Sequence, residues 1–282
     1  SQRFGTSGTA STAMSGVDLA LWDLKGKLLG QPVYSLLGGP VRESITCYAT
    51  SDDLDWSQEL GFTKFKITNP AHYSESDAGI RAVVDHVAQA REQVGQTRDL
   101  MINPVMSYNV EFALRLLEEL KPYNLRWFEE PLVPTDAEGL AELRRSAPWV
   151  AIATGEDHHG RHAFLNLVEK RAVDIIQPDL SWGGGLTEAM KVHVIGEMAG
   201  IATIPHGGAN TPFGQHFAMA ATESPMAEFW MGTDPGIPLE DVSRIPGAAV
   251  PVNGKIVPSS APGFGMEFEE SDISKWPERT SD

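Results

Sequence analysis

The feature that most constrains this chain is a repeated alternation of short β-branched or apolar runs with longer amphipathic stretches. Eight short runs follow one another: Ile45–Thr50, Phe62–Thr68, Asp99–Val105, Leu125–Glu129, Trp149–Thr154, Ala172–Gln177, Ala202–Pro205 and Ala227–Met231. Between them lie helical patterns such as Ser76–Val94, Asn109–Leu120, Ala137–Arg145, Arg161–Lys170 and Thr187–Ala199. Strand-length runs that alternate with helix-length stretches are the pattern of parallel βαβ units. Eight of them predict an α/β fold of the TIM type, a closed (β/α) barrel, rather than an open doubly wound sheet. No glycine fingerprint follows the first run, so a dinucleotide-binding fold lacks its main signature.

A parallel barrel carries its chemistry at the C-terminal ends of its strands. Taken in order, those ends bring Lys66 and Thr68, Asn103, Glu129, Glu156, Asp179, His206 and Glu228 to one rim. Asn103, Glu129 and Glu156 come from the third, fourth and fifth strands, 26 and 27 residues apart. Neighbouring strand ends would make these three oxygen donors converge, and hard donors on an open site suit Mg²⁺. In Glu129-Glu130-Pro131, strand alternation lets only one acid face the axis. Asp179 and His206 end the sixth and seventh strands. A carboxylate beside an imidazole fixes its tautomer and stabilises its protonated form, which is the arrangement of an oriented general base.

The ends of the chain fit the repeat less well. Thr12–Leu29 is expected to be a helix that buries Val17, Leu19, Ala20, Leu21, Leu24 and Leu28, stopped by Gly30-Gln-Pro32. A partner for that face is not expected from residues 1–11. The segment 233–282, rich in Pro and Gly, is expected to pack back over the barrel. The acidic stretch from Glu267 to Asp282 is expected to be a solvated end.

Composition sets limits on partners. A formal charge of −16 excludes nucleic acid, because phosphate binding needs clustered Lys and Arg. No apolar run is long enough to cross a bilayer, and residues 1–9 are polar and glycine-containing, without the apolar core of a secretion signal. The single cysteine, Cys47, lies in a strand pattern and is expected to be a buried thiol in a reducing, cytoplasmic setting.

Several phrases carry a resemblance. Val17-Asp-Leu-Ala-Leu-Trp-Asp-Leu-Lys-Gly26 and Pro32-Val-Tyr-Ser-Leu-Leu-Gly-Gly39 resemble the segment that enters the barrel in the enolase superfamily, in its mandelate racemase-like branch. Leu125-Arg-Trp-Phe-Glu-Glu-Pro-Leu132, Thr154-Gly-Glu156, Asp174-Ile-Ile-Gln-Pro-Asp179 and Pro205-His-Gly207 are most similar to the rhamnonate dehydratase group of that branch. The resemblance implies a Mg²⁺-dependent acid-sugar dehydratase, a lyase that removes the α-proton and the β-hydroxyl of an aldonate. It implies Glu129, Glu156 and Asn103 as metal ligands, with Asn103 where the family has an aspartate. It implies His206 as base, Asp179 as the residue orienting it, and a protonated Glu228 bonded to the substrate carboxylate. Lys66 matches the first lysine of the racemase-type Lys-x-Lys motif and Thr68 replaces the second, which agrees with one-base dehydration rather than two-base racemisation. Asp157 stands where the rhamnonate group has a histidine, and with Lys66 and His158 it is expected to meet the substrate.

The resemblance also implies a division into residues 1–44, the remnant of a largely missing capping domain with its entry helix, 45–232, the barrel, and 233–282. A homo-oligomer is expected to cover part of the apolar surface left open. The sugar acid itself stays open, and so does a second reading: a catalytically impaired barrel that at most binds a small acid.

Overall fold

Short apolar runs bounded by turn residues form strands once neighbours pair with them. In the computed structural model, which describes residues 7–241 and 245–268, all eight runs do so. They are β1 Ile45–Thr50, β2 Lys64–Ile67, β3 Asp99–Ile102, β4 Trp127–Glu129, β5 Ala151–Thr154, β6 Ile175–Ile176, β7 Ala202–Thr203 and β8 Ala227–Trp230. The short strand β9, Lys255–Ile256, follows. The helices are α1 Thr9–Leu29, α2 Val33–Leu36, α3 Leu54–Glu59, α4 Ser76–Val94, α5 Val110–Leu120, α6 Ala137–Ser146, α7 Arg161–Glu169, α8 Gly185–Met198 and α9 Pro212–Ala220.

The strands run parallel in the order β7-β6-β5-β4-β3-β2-β1-β8, which is the curled sheet of a β/α barrel. Ladder pairing joins seven of the eight junctions among the described residues. At the eighth, between β7 and β8, the backbone is tied by Thr203 N–H to Glu223 C=O (2.9 Å) and Ala209 N–H to Glu228 C=O (2.7 Å). Inward-facing Tyr48, Met101, Trp127, Ala153, Ile175 and Met226 fill the barrel. A larger apolar layer, including Phe65, Leu100, Phe128 and Ile152, lies between sheet and helices. Each such buried side chain contributes roughly 1.5–3 kcal/mol, so the scaffold under the rim is rigid.

Local chemistry sets where the helices start. Asp53, Asn109, Asp136 and Thr211 accept hydrogen bonds from the first turns of α3, α5, α6 and α9. The residue before α8 is Gly184, which has no side chain to cap it, and α1 supplies the cap instead. Ser15 Oγ accepts from Gly184 N–H and Asp18 Oδ2 from Thr187 N–H, both at 2.9 Å.

That contact corrects the expected face of the first helix. Of the residues expected to be buried, only Leu19 is; Val17, Leu21, Leu24 and Leu28 are more than half exposed and Ala20 is exposed too. The helix docks through Ser15, Asp18 and Trp22, because the open N-terminus of α8 rewards acceptors more than that neighbour rewards leucines. It does end at Gly30, in the left-handed conformation.

In the C-terminal segment, β9 pairs antiparallel with Ile45 and Thr46, and Phe264 packs in a cluster with Leu19, Val33 and Phe217. The expectation of a solvated acidic end falls mostly on residues outside those described; Glu267 and Phe268 are exposed. Cys47 is buried, as expected, and burial pushes its thiol up to about 12. Among the described residues no helix is long and apolar enough to cross a membrane.

Candidate active site

The rim is built on Lys66, which points inward from β2 and is 1% exposed. A buried ammonium must be paired, and Lys66 is paired twice, with Glu129 and with Glu228 (2.7 Å). Burial pulls the lysine down in pKa, but the two carboxylates outweigh it and hold it above its usual range.

Glu129 Oε1 accepts from Lys66 and from Asn103 Nδ2 (3.0 Å), and its Oε2 from Trp127 Nε1 (2.7 Å) and Gln177 Nε2 (2.8 Å). These four donors fix both of its oxygens. Glu228 accepts from Lys66, from Thr50 Oγ1 (2.6 Å) and from Gly207 N–H (2.8 Å). The sequence led to a protonated Glu228. The structure differs: burial pushes it up, but Lys66 and His206 with these hydrogen bonds pull it down to about 2, so it stays a carboxylate.

His206 follows β7 and Asp179 follows β6, and they meet as expected. Nδ1 of His206 lies 2.9 Å from Asp179 Oδ2. Asp179 Oδ1 is fixed by the backbone N–H groups of Ser181 and Trp182. The other ring nitrogen, Nε2, stands 3.7 Å from Glu156 Oε2. Burial lowers the imidazole pKa, but the Asp179 hydrogen bond and the charges of Glu228, Glu156 and Asp179 overcome it and raise it to about 9. The Trp182 ring lies 5.2 Å from the imidazole, and its Nε1 donates to the Glu156 carbonyl (2.6 Å).

Glu156 follows β5 across Gly155, whose φ is +151°. A Cβ there would come within 2.7 Å of the Gln177 backbone nitrogen, so only glycine lets the chain pass β6 and aim Glu156 at the rim. Burial, with the charge of Glu129, raises the Glu156 carboxyl to about 7 despite the pull of His206.

Glu130, the second acid of the pair, takes a different course from Glu129. Glu130 stands just past the end of β4 with φ +44°, so strand alternation no longer sets its direction. Its carboxylate turns toward β5, where Oε1 accepts from Thr154 Oγ1 (3.0 Å) and Oε2 is buried without a partner. Burial and the charges of Glu156 and Glu129 raise it to about 8. Oxygens of Glu130, Glu156 and Asp157 lie within 4.8 Å of one another, a group able to hold a cation.

A cavity of about 450 Å³ opens above these residues. Lys66, Asn103, Glu156, Asp179, His206 and Glu228 line it; Glu129 does not, but it bonds Lys66 and Asn103, which do. Thr68 does not: it is exposed and bonds Asp52 through its N–H (2.9 Å) and hydroxyl. Asp157 and His158 are also absent from the lining. His158 is buried against Phe164, and burial lowers it to about 4. Residues that sequence reasoning missed are Thr50, Ser181, Trp182, Asn210, Thr211 and Trp230. Trp230 and Thr50 had a legible signal, since each ends a strand and alternation puts Trp230 on the same face as Glu228; the other four come from loops.

Comparison with known proteins gives a consistent picture. The family described as enolase C-terminal domain-like matches residues 52–272, and the mandelate racemase / muconate lactonizing enzyme N-terminal domain matches residues 1–38. An L-rhamnonate dehydratase of Saccharopolyspora erythraea is 39% identical over 269 residues, covering 94% of this chain and 68% of the relative. The crystal structure of rhamnonate dehydratase from Gibberella zeae, complexed with Mg, is 32% identical with a TM-score of 0.90, over 97% of this chain and 68% of that one. A racemase from Streptomyces coelicolor A3(2) with bound magnesium is 27% identical with a TM-score of 0.81, over 96% and 73%.

Proposed function

Since the chain belongs to the mandelate racemase / muconate lactonizing enzyme family of the enolase superfamily, we propose that it is an acid-sugar dehydratase. The substrate is a six-carbon aldonate, L-rhamnonate or a close relative, and the product a 2-keto-3-deoxy acid. One observation carries this reading: His206 has Nδ1 fixed by Asp179 and leaves Nε2 facing Glu156 inside the cavity.

The residues present fit Mg²⁺. Glu129, Glu130 and Glu156 crowd three acids into a buried space, two of them raised toward neutrality, and one oxygen of Glu130 has no partner. We assign the ion to Glu156 and Glu129 with Asn103 as third donor, because Asn103 and Glu156 face the cavity that the substrate must enter. When bound, Mg²⁺ supplies Lewis acidity to the substrate carboxylate and acidifies the α-C–H. A second arrangement, Glu130 with Glu156 and Asp157, is favoured by the partnerless oxygen. Calorimetric Mg²⁺ titration of Glu129→Gln and Glu130→Gln separates them.

The chain's own groups account for the proton steps. Neutral His206 takes the α-proton at Nε2 while Asp179 stabilises the imidazolium. The imidazolium then gives that proton to the departing β-hydroxyl, which leaves as water, and the resulting enol becomes the 2-keto acid. Lys66 and ionised Glu228 fix the floor of the cavity. Thr68, turned to Asp52, provides no second base, which supports dehydration over racemisation.

The test is an aldonate panel with Mg²⁺, read as 2-keto-3-deoxy product; absence of turnover for every aldonate sinks the reading. The competing reading, a barrel that at most binds a small acid, is favoured by Asn103, which presents its amide nitrogen to Glu129 while its oxygen accepts from Val105 N–H (2.8 Å). Absence of Mg²⁺ binding by the wild type would favour it. We also propose the division 1–44, 45–232 and 233–282, a cytoplasmic location, and a homo-oligomer. The oligomer is supported by the exposed Val17, Leu21, Leu24 and Leu28 on α1 and is read by sedimentation.

A further inference from the structure

The proton steps leave unexplained a tryptophan that stands 62% exposed at the mouth of the cavity. Trp230 is the last residue of β8 and lies two positions beyond Glu228, hence on the same face and about 7 Å further toward solvent. An exposed indole on the wall of a cavity offers apolar area to whatever enters it.

Its position is fixed from two sides. Asn210, another cavity residue, clamps the Trp230 backbone, accepting from its N–H at 2.7 Å and donating to its C=O at 2.9 Å. Gly232, with φ +54°, lies against the indole, where an added Cβ would come within 2.4 Å of the ring. The ring is therefore a preset surface rather than a free side chain. His206 and Glu156 place the reacting carbon and the carboxylate deep in the cavity, so the rest of an extended sugar acid points toward the mouth. There it meets an aromatic face. The C–H groups of a polyhydroxylated chain carry slight positive charge, the face of an indole slight negative charge, and contact removes water from both.

We propose that Trp230 is an aromatic subsite for the end of the aldonate chain farthest from its carboxylate, an assignment that rests on the dehydratase reading above. It makes the site selective for chain length. A six-carbon acid such as L-rhamnonate reaches the indole, and a four-carbon acid such as threonate does not.

The experiment measures binding of both acids to the Mg²⁺-loaded wild type, Trp230→Ala and Trp230→Phe, by calorimetry and by quenching of tryptophan fluorescence. Wild type is expected to bind L-rhamnonate roughly ten-fold more tightly than Trp230→Ala does, with Trp230→Phe between them and threonate affinity alike in all three. L-Rhamnonate is also expected to quench wild-type emission more than that of Trp230→Ala. Equal affinities for L-rhamnonate across the three proteins, or an equal loss for both acids, overturns the subsite and leaves the dehydratase reading standing. If wild type binds neither acid, the dehydratase reading falls and the subsite with it. Thermal melting controls for folding, and a side chain so exposed should shift it little.

Discussion

The two sides of the rim differ in how completely the protein satisfies them. On the β6–β8 side every acidic oxygen has donors: Asp179 is held by two backbone N–H groups and His206, and Glu228 by Lys66, Thr50 and Gly207. On the β3–β5 side Glu130 keeps a buried oxygen without a partner, Glu156 and Glu130 are raised to about 7 and 8, and Asn103 offers an N–H₂ where an oxygen donor is needed. The first side is assembled by the chain's own hydrogen bonds. The second is a concentration of negative charge that a cation would complete. Preorganisation and ion binding are thus divided between neighbouring strands of one sheet.

If the β6–β8 side supplies the base, the protein cannot dispense with it. Under the proposed function, His206→Asn should lower kcat by about 10³-fold or more, since it removes the proton acceptor, while Mg²⁺ affinity changes little. Steady-state kinetics beside metal calorimetry reads both numbers. A variant that keeps activity would move the base elsewhere.

Glu129 links the two sides through Lys66, so Glu129→Gln tests whether they are separable. Mg²⁺ binding should be lost and activity should fall roughly 10²-fold. Stability should also drop, by up to about 3 kcal/mol, because a buried ion pair loses one partner; Lys66 keeps Glu228, which limits the damage. Denaturant melts with and without Mg²⁺ measure it. Asn103→Asp should act the other way. It adds a charge beside Glu129, so the metal-free protein melts earlier, while Mg²⁺ affinity rises about ten-fold. The gap between the two melting temperatures should widen, and an unchanged gap would favour the Glu130 arrangement.

How much of this was legible follows from where each residue sits. The positions of the eight strands and the meeting of Asp179 with His206 came from alternation and from the rule that a parallel barrel works at its strand ends. The strands rest on regular backbone, which sequence periodicity reports, and Asp179 and His206 each stand three residues beyond a strand that periodicity locates. Glu130 was missed because a single φ of +44° before a proline turns its side chain, and periodicity does not encode that angle. The face of α1 was misassigned for a different reason. A row of leucines signals burial only if a partner exists, whereas Asp18 and Ser15 are fixed by the uncapped start of a helix some 170 residues later. The ionised state of Glu228 depends on Lys66 and His206 converging from other strands, a tertiary fact.

A smaller effect is expected where the β6–β8 side sets its own proton affinity. Burial alone would hold His206 below an ordinary imidazole value near 6.5; the Asp179 hydrogen bond and the Glu228, Glu156 and Asp179 charges lift it to about 9. Asp179→Asn removes one of those charges and weakens the hydrogen bond, so the midpoint should fall by about a unit in a pH titration of the ring proton by NMR. A group raised on folding contributes stability that is fully present below its unfolded pKa and lost as pH rises through the folded one. The wild type should therefore lose stability between about pH 6.5 and pH 9, and Asp179→Asn should lose less over that window. Because a base must be neutral, the alkaline rise in kcat/KM should also begin at lower pH in the variant, even as its maximum falls. A midpoint that stays near 9 would mean that Glu228 and Glu156 hold the proton instead. In that case a cation placed beside Glu156 would control the base directly, and the two sides would work as one.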